Sequence, residues 1–542
     1  MSAISAFFDR RKDGDLQPVI GLLILAVLGY MPISSGLLAL KNDDIIYFLP
    51  YRYNISEIIR SGHMPLWSPY IYLGFPIAGD MQSGAWNPLV WLLSLTGKYD
   101  HNTLAFEILC YLFISGLSLY KLGRELGFTK LFAFTIGVSF MFCGFMTDSG
   151  QIMSWVACAS LLPFTYLYFI RLLQAPGAKN AVKFALANLA LALAGYPAFF
   201  IINLYMLLVI CLVLAGIMIA RKNLLILKTT ILWLLLSAGL FLLTGMVAWL
   251  SFAEMLPYYN RGHGVSLADA LEHSYQTWFG LTAFTPFAHT WEIPSPAGDS
   301  GIIRNIYFGI LLTPFAVYGA VIKKNLASNL VLTITALAIA SSLGNEIPVR
   351  SFEFRYLPLM NSFRHPANFR LFVIIGLLLL SGKGLQQLYA GARDSWQTLR
   401  RLLLALIIGL AVFGIARLVF YPLKSYPEPI FKALINHGLF NAAVIINILF
   451  QLVFLIAGLF ALDRERYRMY CLLSILNVIL LAQPQVFYGM VSSSTPGSIN
   501  SYIKHTTNGF PIDVNDQPIG TSQESKKIDN YGSFKGLATF YM

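Results

Sequence analysis

The sequence predicts an all-α protein that crosses a membrane many times. Hydrophobic residues make up 57% of the 542 residues and charged residues only 12%, and the mean hydropathy is +0.64. Apolar runs recur between Gln17 and Gly489, and a run of about 20 residues is enough to cross a hydrocarbon core about 30 Å thick. These features exclude a soluble globular protein and predict one transmembrane domain over residues 1–490.

About 13 runs qualify as spans by length and apolarity. Gly195-Tyr196-Pro197 separates the fifth run from the sixth, because proline lacks an N–H group and ends the helix. The first run follows a basic cluster and is longer than the apolar core of a signal peptide, so we expect it to be retained. The approximate limits are 17–40, 103–120, 131–147, 152–170, 181–194, 198–220, 229–250, 302–322, 327–343, 368–390, 402–421, 438–461 and 470–489.

Basic residues fix the predicted orientation. Lys and Arg gather in alternate loops, whereas the intervening short loops, residues 148–151 and 195–197, contain none. The positive-inside rule therefore places the N-terminus in the cytoplasm and explains the net charge of +12 without a nucleic acid. The segments predicted to lie outside are the loops 41–102, 251–301 and 344–366 and the polar tail 491–542, which we interpret as a linker and the start of a truncated domain.

Two adjacent carboxylates, Asp43 and Asp44, come just after the first run. Carboxylates at a membrane surface are costly to desolvate, which makes this pair a candidate for chemistry in a chain that carries so little charge. The alternative is that both are solvated at a helix end. Consecutive helical residues point in different directions, so we expect at most one to face a site, and we favour Asp44.

The first outer loop carries a series of rare residues at fixed spacing. The phrases NDDIIYFLPYR, SGHMPLWSPYIYLGFPIAGDMQSG and WNPL resemble the YfhO family of bacterial membrane proteins, which belong with the GT-C type glycosyltransferases. The resemblance extends more loosely over residues 17–490. Family histidines are replaced here by Tyr196 and Gln151, so no role of those histidines is carried over. The residues that match are Pro65, Leu66, Trp67, Pro69, Tyr70, Gly74, Pro76, Asp80, Gln82, Ser83 and Gly84.

The resemblance implies a GT-C-like helical bundle with an active site at the outer face of the bacterial cytoplasmic membrane. It implies transfer of a sugar, with inversion, from a polyprenyl-phosphate donor to a glycolipid or an envelope polymer such as teichoic acid. Asp44 or Asp43 corresponds to the general base. Asp80 orients the acceptor, assists the base, or binds a divalent cation with Asp44; the alternative is a turn aspartate after Gly79.

Two further sets of residues are candidates for substrate binding. A guanidinium fork matches a phosphate group, so we expect donor-phosphate binding by an outer cluster, although arginines also extend to lipid headgroups. Aromatic and polar residues of the outer loops are candidates for holding the sugar or acceptor, and membrane anchoring is the alternative for the aromatics. The phosphate set is Arg364, Arg355, Arg350, Arg52 and His365, and the sugar set is Gln82, Trp67, Tyr196 and Glu107.

Two other functions remain open. A transporter or flippase of lipid-linked sugars is expected to have broken helices and charged residues at mid-membrane, and the sequence offers few. A non-catalytic scaffold for envelope assembly is the third reading.

Overall fold

The computed structural model describes residues 15–68, 74–259, 264–286, 303–322, 324–390, 394–420, 429, 432 and 440–506. Within these ranges the chain is nearly all helical, without β-strands and with two isolated bridges. Helices of eight or more residues are α1 Leu16–Gly29, α2 Leu49–Arg60, α3 Pro88–Thr96, α4 His101–Glu125, α5 Lys130–Met141, α6 Met153–Gln174, α7 Ala178–Leu193, α8 Pro197–Ala220, α9 Leu224–Thr244, α10 Met246–Met255, α11 Thr313–Val321, α12 Leu326–Ser342, α13 Val349–Tyr356, α14 Arg370–Tyr389, α15 Asp394–Phe420, α16 Phe440–Asp463, α17 Tyr467–Gly489 and α18 Pro496–Thr506.

The predicted spans coincide with helices, which confirms the all-α polytopic architecture. Nine stretches of the described residues are long and apolar enough to cross a membrane. A tenth span results if Ile310–Val321 and Leu326–Ser342, bent by 118°, count as one. The two remaining predicted runs contain the shorter helices α1 and α7. Every predicted run therefore contains a helix, but not every one is a full-length span.

The first span is shorter than predicted. Helix α1 ends at Gly29 instead of continuing to residue 40. Pro32, which has no N–H group to donate, lies at the start of the short helix Met31–Ser34, and Gly36 then takes a left-handed φ of +68°. The chain therefore approaches Asp43 and Asp44 as an irregular segment, in which Leu40 forms an isolated antiparallel β-bridge with Val491.

Helix α4 packs against α5 and α6, helices α11, α12 and α14 pack together, and α17 packs against α16. Glycines allow the closest approach: a Cβ atom on Gly319 of α11 or on Gly384 of α14 would collide with the backbone of the facing helix. In contrast, few residues of α9 and α15 are buried in the protein. We infer that these two helices face lipid.

The segments predicted to lie outside meet at one end of the bundle. Tyr259 donates a hydrogen bond to the Gly79 carbonyl at 3.0 Å, so the first and second outer loops are joined. The His273 and His365 rings, 4.9 Å apart, join the second to the third. This common end is where the candidate site residues lie.

Candidate active site

The two adjacent aspartates are separated by the local backbone. Asp44 begins a π-helical turn, Asp44–Phe48, that leads directly into α2. The Asp44 side chain is fully buried, whereas Asp43 is exposed. π-Helical turns are rare and occur often at functional sites. Only one member of the pair therefore faces the interior, as expected for consecutive helical residues.

One carboxylate oxygen of Asp44 is held at the start of α6. Asp44 Oδ1 accepts a hydrogen bond from the Met153 N–H at 2.9 Å, a donor that the first turn of a helix leaves free. Asp44 Oδ2 is buried and has no hydrogen-bond partner among the residues that the structure describes. Burial raises the pKa of Asp44 well above its usual range, and the Met153 bond and Arg52 only partly oppose this. The result is a carboxylate with one fixed oxygen and one unused oxygen.

Asn42, two residues before Asp44, is attached to the loop that leads into α6. Asn42 Nδ2 donates to Gln151 Oε1, and Asn42 has a left-handed φ of +50°, which asparagine tolerates better than most residues. The segment that carries Asp44 is thus fastened to residues 151–153 at two points.

A buried ion pair lies beside Asp44. Arg52 and Glu107 are 1% and 0% exposed, and Arg52 Nε lies 3.3 Å from Glu107 Oε2. Arg52 Nη1 also donates to the Ser83 carbonyl, and the Tyr99 hydroxyl donates to Glu107 Oε2. The structure therefore uses Arg52 to connect α2 with α4. Most residues of α2 are accordingly buried.

A side chain at Gly84 would displace Arg52 from this ion pair. Gly84 has a left-handed φ of +81°, and a Cβ atom there would collide with the Arg52 guanidinium. We expect Gly84→Ala to lower the free energy of unfolding by at least about 1–3 kcal/mol, the usual cost of such backbone strain alone. Gly97→Ala is the matched control, because Gly97 is extended and a Cβ atom there would meet no described atom within 4 Å. Thermal unfolding in detergent measures both, and equal effects would contradict this account.

Asp80 is connected to the Asp44 segment through Tyr47. The Tyr47 hydroxyl donates to Asp80 Oδ2 at 2.6 Å, and the Gln82 N–H donates to Oδ1 at 2.9 Å. Burial raises the pKa of Asp80, while these hydrogen bonds oppose the rise. The bond from Gln82 also caps a short turn, so the turn role and a functional role coexist in the same residue.

Two of the predicted sugar-binding residues lie next to each other. The turn at Gly195, immediately before Tyr196, packs against Met81 and the backbone of Gln82. Tyr196 itself packs against Trp155, with ring centroids 5.3 Å apart. Trp67 lies elsewhere, against Gly74, and is 54% exposed.

The predicted phosphate-binding residues occupy three different environments. Arg350 is fully buried and donates to the carbonyls of Met360 and Phe363 at 2.7 and 3.2 Å, so its guanidinium holds the third outer loop. Arg355 is exposed on α13. Arg364 is partly exposed and pairs with Glu272 at 3.2 Å.

His365 connects this loop to the aromatic residues near Tyr196. Its ring lies 5.9 Å from Trp155 and 4.9 Å from His273, centroid to centroid. Both histidines have left-handed backbones, with φ values of +67° and +57°. Strained conformations of this kind persist where the surrounding structure imposes them and cluster at functional sites. The rings therefore form a continuous row from His273 to Tyr196.

The structure also assembles a second buried group, which sequence reasoning missed. Asp148 and Arg370 are both buried. Asn305 Nδ2 donates to Asp148 Oδ1 at 3.4 Å, and Arg370 Nη2 donates to the neighbouring Ser149 Oγ at 2.8 Å. A lone aspartate at the end of an apolar run was the available signal, but its neighbours lie more than 150 residues away in the sequence.

Asp44 and Asp80 are the candidate ligands of a divalent cation. Asp44 Oδ1 and both Asp80 oxygens already accept hydrogen bonds. Across the part of the chain that the structure describes, no group of three or more His, Cys, Asp or Glu side chains could hold a metal.

The fold is similar to that of ArnT, a membrane protein of known structure. ArnT from Cupriavidus metallidurans, bound to undecaprenyl phosphate, superposes with a TM-score of 0.52 at 14% identity, over 97% of this chain and 85% of ArnT. The apo form of ArnT gives the same values. An Archaeoglobus fulgidus oligosaccharyltransferase gives a TM-score of 0.42 at 15% identity, over 96% of this chain and 64% of its own. No family model and no curated protein sequence matches this chain.

Proposed function

We propose that this protein is a membrane glycosyltransferase that takes a sugar from a polyprenyl-phosphate donor. The observation that carries the proposal is Asp44, a buried carboxylate with one fixed and one unused oxygen, at the end of the bundle that we predict to lie outside. The fold likeness to ArnT, a protein seen with undecaprenyl phosphate, is consistent with this donor. So is the resemblance of residues 42–84 to the YfhO family, whose members resemble the final enzyme of a three-part system that glycosylates the cell envelope.

In the proposed reaction Asp44 is the general base. Oδ2 accepts the proton of the acceptor hydroxyl as that oxygen attacks the anomeric carbon from the face opposite the phosphate. The bond between the anomeric carbon and the phosphate oxygen breaks, the configuration inverts, and polyprenyl phosphate leaves with the electron pair. No second carboxylic acid is needed, because the phosphate is already a good leaving group. Asp44 is enclosed, so neighbouring groups must move to admit the acceptor.

Arg364 is the best placed of the predicted arginines to bind the donor phosphate. Its present partner Glu272 is 42% exposed and Arg364 is 32% exposed. Exposed ion pairs contribute little free energy, about 0–1 kcal/mol, so a phosphate can replace the Glu272 carboxylate at small cost. His365, next in the chain, lies over Trp155, while Asp80 and Gln82 beside Tyr196 form the proposed acceptor side.

The pKa of Asp44 makes activity and stability respond to pH in opposite directions. The base must be ionised, so we expect the transfer rate to fall on acidification at a pH above the ordinary aspartate value of about 3.9. The folded state binds the proton more tightly than the unfolded state, so this group's contribution to stability is lost as the pH rises between the two pKa values. A pH profile of transfer and of unfolding temperature tests both. A transfer profile that is flat above pH 4 would remove Asp44 from the role of base.

The function itself is tested in vesicles that contain the purified protein and a radiolabelled polyprenyl-phosphate sugar. We expect the label to leave the lipid when an extract of envelope glycopolymer is supplied. A flippase would move the intact labelled lipid across the bilayer, and a scaffold would leave it unchanged.

A further inference from the structure

The chain after the last span returns to the segment that carries Asp44. The Ser492 N–H donates to the Ala39 carbonyl at 2.8 Å, and the Ala39 N–H donates to the Ser494 carbonyl at 2.9 Å. These two bonds flank the bridge between Leu40 and Val491. We call residues 488–500 the C-terminal strap.

Further contacts fix the strap on both sides of this bridge. Lys41 Nζ donates to the Tyr488 carbonyl and lies 4.9 Å from the centre of the Tyr488 ring. The His101 N–H, at the start of α4, donates to Asn500 Oδ1 at 3.0 Å, and His101 Nε2 accepts from the Leu40 N–H at 2.9 Å. The strap, Leu40 and the first turn of α4 are therefore mutually connected.

The strap also supports the loop to which Asp44 is attached. Met490 packs so closely on Gly150 that a Cβ atom there would collide with it, and a Cβ atom on Gly489 would collide with the Thr147 carbonyl. Gly150 directly precedes Gln151, the partner of Asn42, and Met153, the partner of Asp44. The strap thus holds two segments. Residues 39–41 come shortly before Asp44 in the sequence, and residues 147–151 lead to Met153, which contacts Asp44 in space.

We propose that the C-terminal strap is the positioning element of the active site, which keeps the Asp44 carboxylate enclosed against Met153. Asp44 has no long helix before it to fix its position, because α1 ends at Gly29 and the intervening residues are irregular. The strap supplies that support from the far end of the chain. Ser492 and Asn500 are positioning residues, and they act on the reaction only through Asp44. The catalytic meaning of the strap rests on the function proposed above, but its action on Asp44 does not.

The test measures how fast a cysteine at position 44 reacts with a water-soluble maleimide. Asp44→Cys is expected to react slowly in detergent-solubilised protein, and Asp43→Cys, at an exposed position, quickly. Ser492→Pro removes the N–H that bonds Ala39 and should speed labelling of Asp44→Cys about tenfold, because labelling follows the population of the open state. Ser492→Ala keeps that N–H and is the matched control, and the protein without an added cysteine is the blank.

Asn500→Ala is the milder second variant, since it removes only the acceptor for His101. Faster labelling of Asp44→Cys in either strap variant, with labelling of Asp43→Cys unchanged, supports the proposal. Slow and unchanged labelling of Asp44→Cys in both folded strap variants overturns it, as does fast labelling with the strap intact.

A pH profile adds a readout that a purely structural role would not move. Loosening the strap hydrates Asp44 and returns its pKa toward the ordinary value. The fall of the transfer rate on acidification should therefore occur at lower pH in Ser492→Pro than in the wild-type protein. A further result would be that the strap variants speed the labelling of Asp44→Cys although neither the wild-type protein nor any variant transfers sugar. That result would contradict the proposed function but support the proposed action of the strap on Asp44.

Discussion

Asp44→Asn is expected to lower the rate of sugar transfer by at least about 100-fold, the usual loss when a general base is removed. Asparagine has nearly the same shape and retains an oxygen that can accept the Met153 N–H, so the fold should be preserved. The measurement is transfer of radiolabel from a polyprenyl-phosphate sugar, made alongside the unfolding temperature of each variant.

Asp43→Asn is the matched control, because the two residues are adjacent but only Asp44 is buried. We expect Asp43→Asn to retain most of the activity. Loss of transfer in Asp43→Asn with full activity in Asp44→Asn would reverse the assignment. Full activity with both residues replaced would contradict the mechanism altogether.

Glu107→Ala is expected to lower the free energy of unfolding by about 3–5 kcal/mol, because it leaves the Arg52 charge buried without its partner. Arg52 and Glu107 are both essentially inaccessible to solvent, so water does not screen the loss. Glu57→Ala is the matched control: Glu57 pairs with Arg60 at 3.2 Å, and both are more than a third exposed. Its effect should stay within about 1 kcal/mol.

A double variant separates the charge from the packing. Arg52→Leu with Glu107→Leu removes both buried charges, and we expect it to be more stable than Glu107→Ala, because the desolvation cost of both ions disappears. Thermal unfolding in one detergent compares all four proteins. A double variant less stable than Glu107→Ala would indicate that the remaining hydrogen bonds, those of Ser83 and Tyr99, matter more than the charges.

Much of the architecture follows from local sequence signals. Apolar length located the helices, because the bilayer requires each crossing segment to satisfy its own backbone hydrogen bonds. The prediction failed where local chemistry interrupted an apolar run: Pro32 and Gly36 shorten the first span. The separation of Asp43 from Asp44 was also predictable, because successive helical residues point in different directions.

The pairings within the site were not predictable. Residue type makes Arg52 and Arg350 candidate phosphate ligands. In the structure Arg52 lies against Glu107, 55 residues away, and the Arg350 guanidinium donates to the carbonyls of Met360 and Phe363. A guanidinium has the same chemistry toward a phosphate, a carboxylate and a carbonyl, so residue type alone does not choose among them. The strap was missed for a similar reason, since its contacts with residues 39–41 are backbone hydrogen bonds.

The most direct test of the central claim is a cryo-electron microscopy structure of the protein with polyprenyl monophosphate. The proposed mechanism predicts the phosphate at the end of the bundle where Asp44 lies, with Asp44 as its nearest aspartate and with Arg364 or His365 among its ligands. A phosphate bound at the other end of the bundle, where α4 ends at Glu125 and α6 ends at Gln174, would contradict it. So would a phosphate bound beside another carboxylate with Asp44 still enclosed.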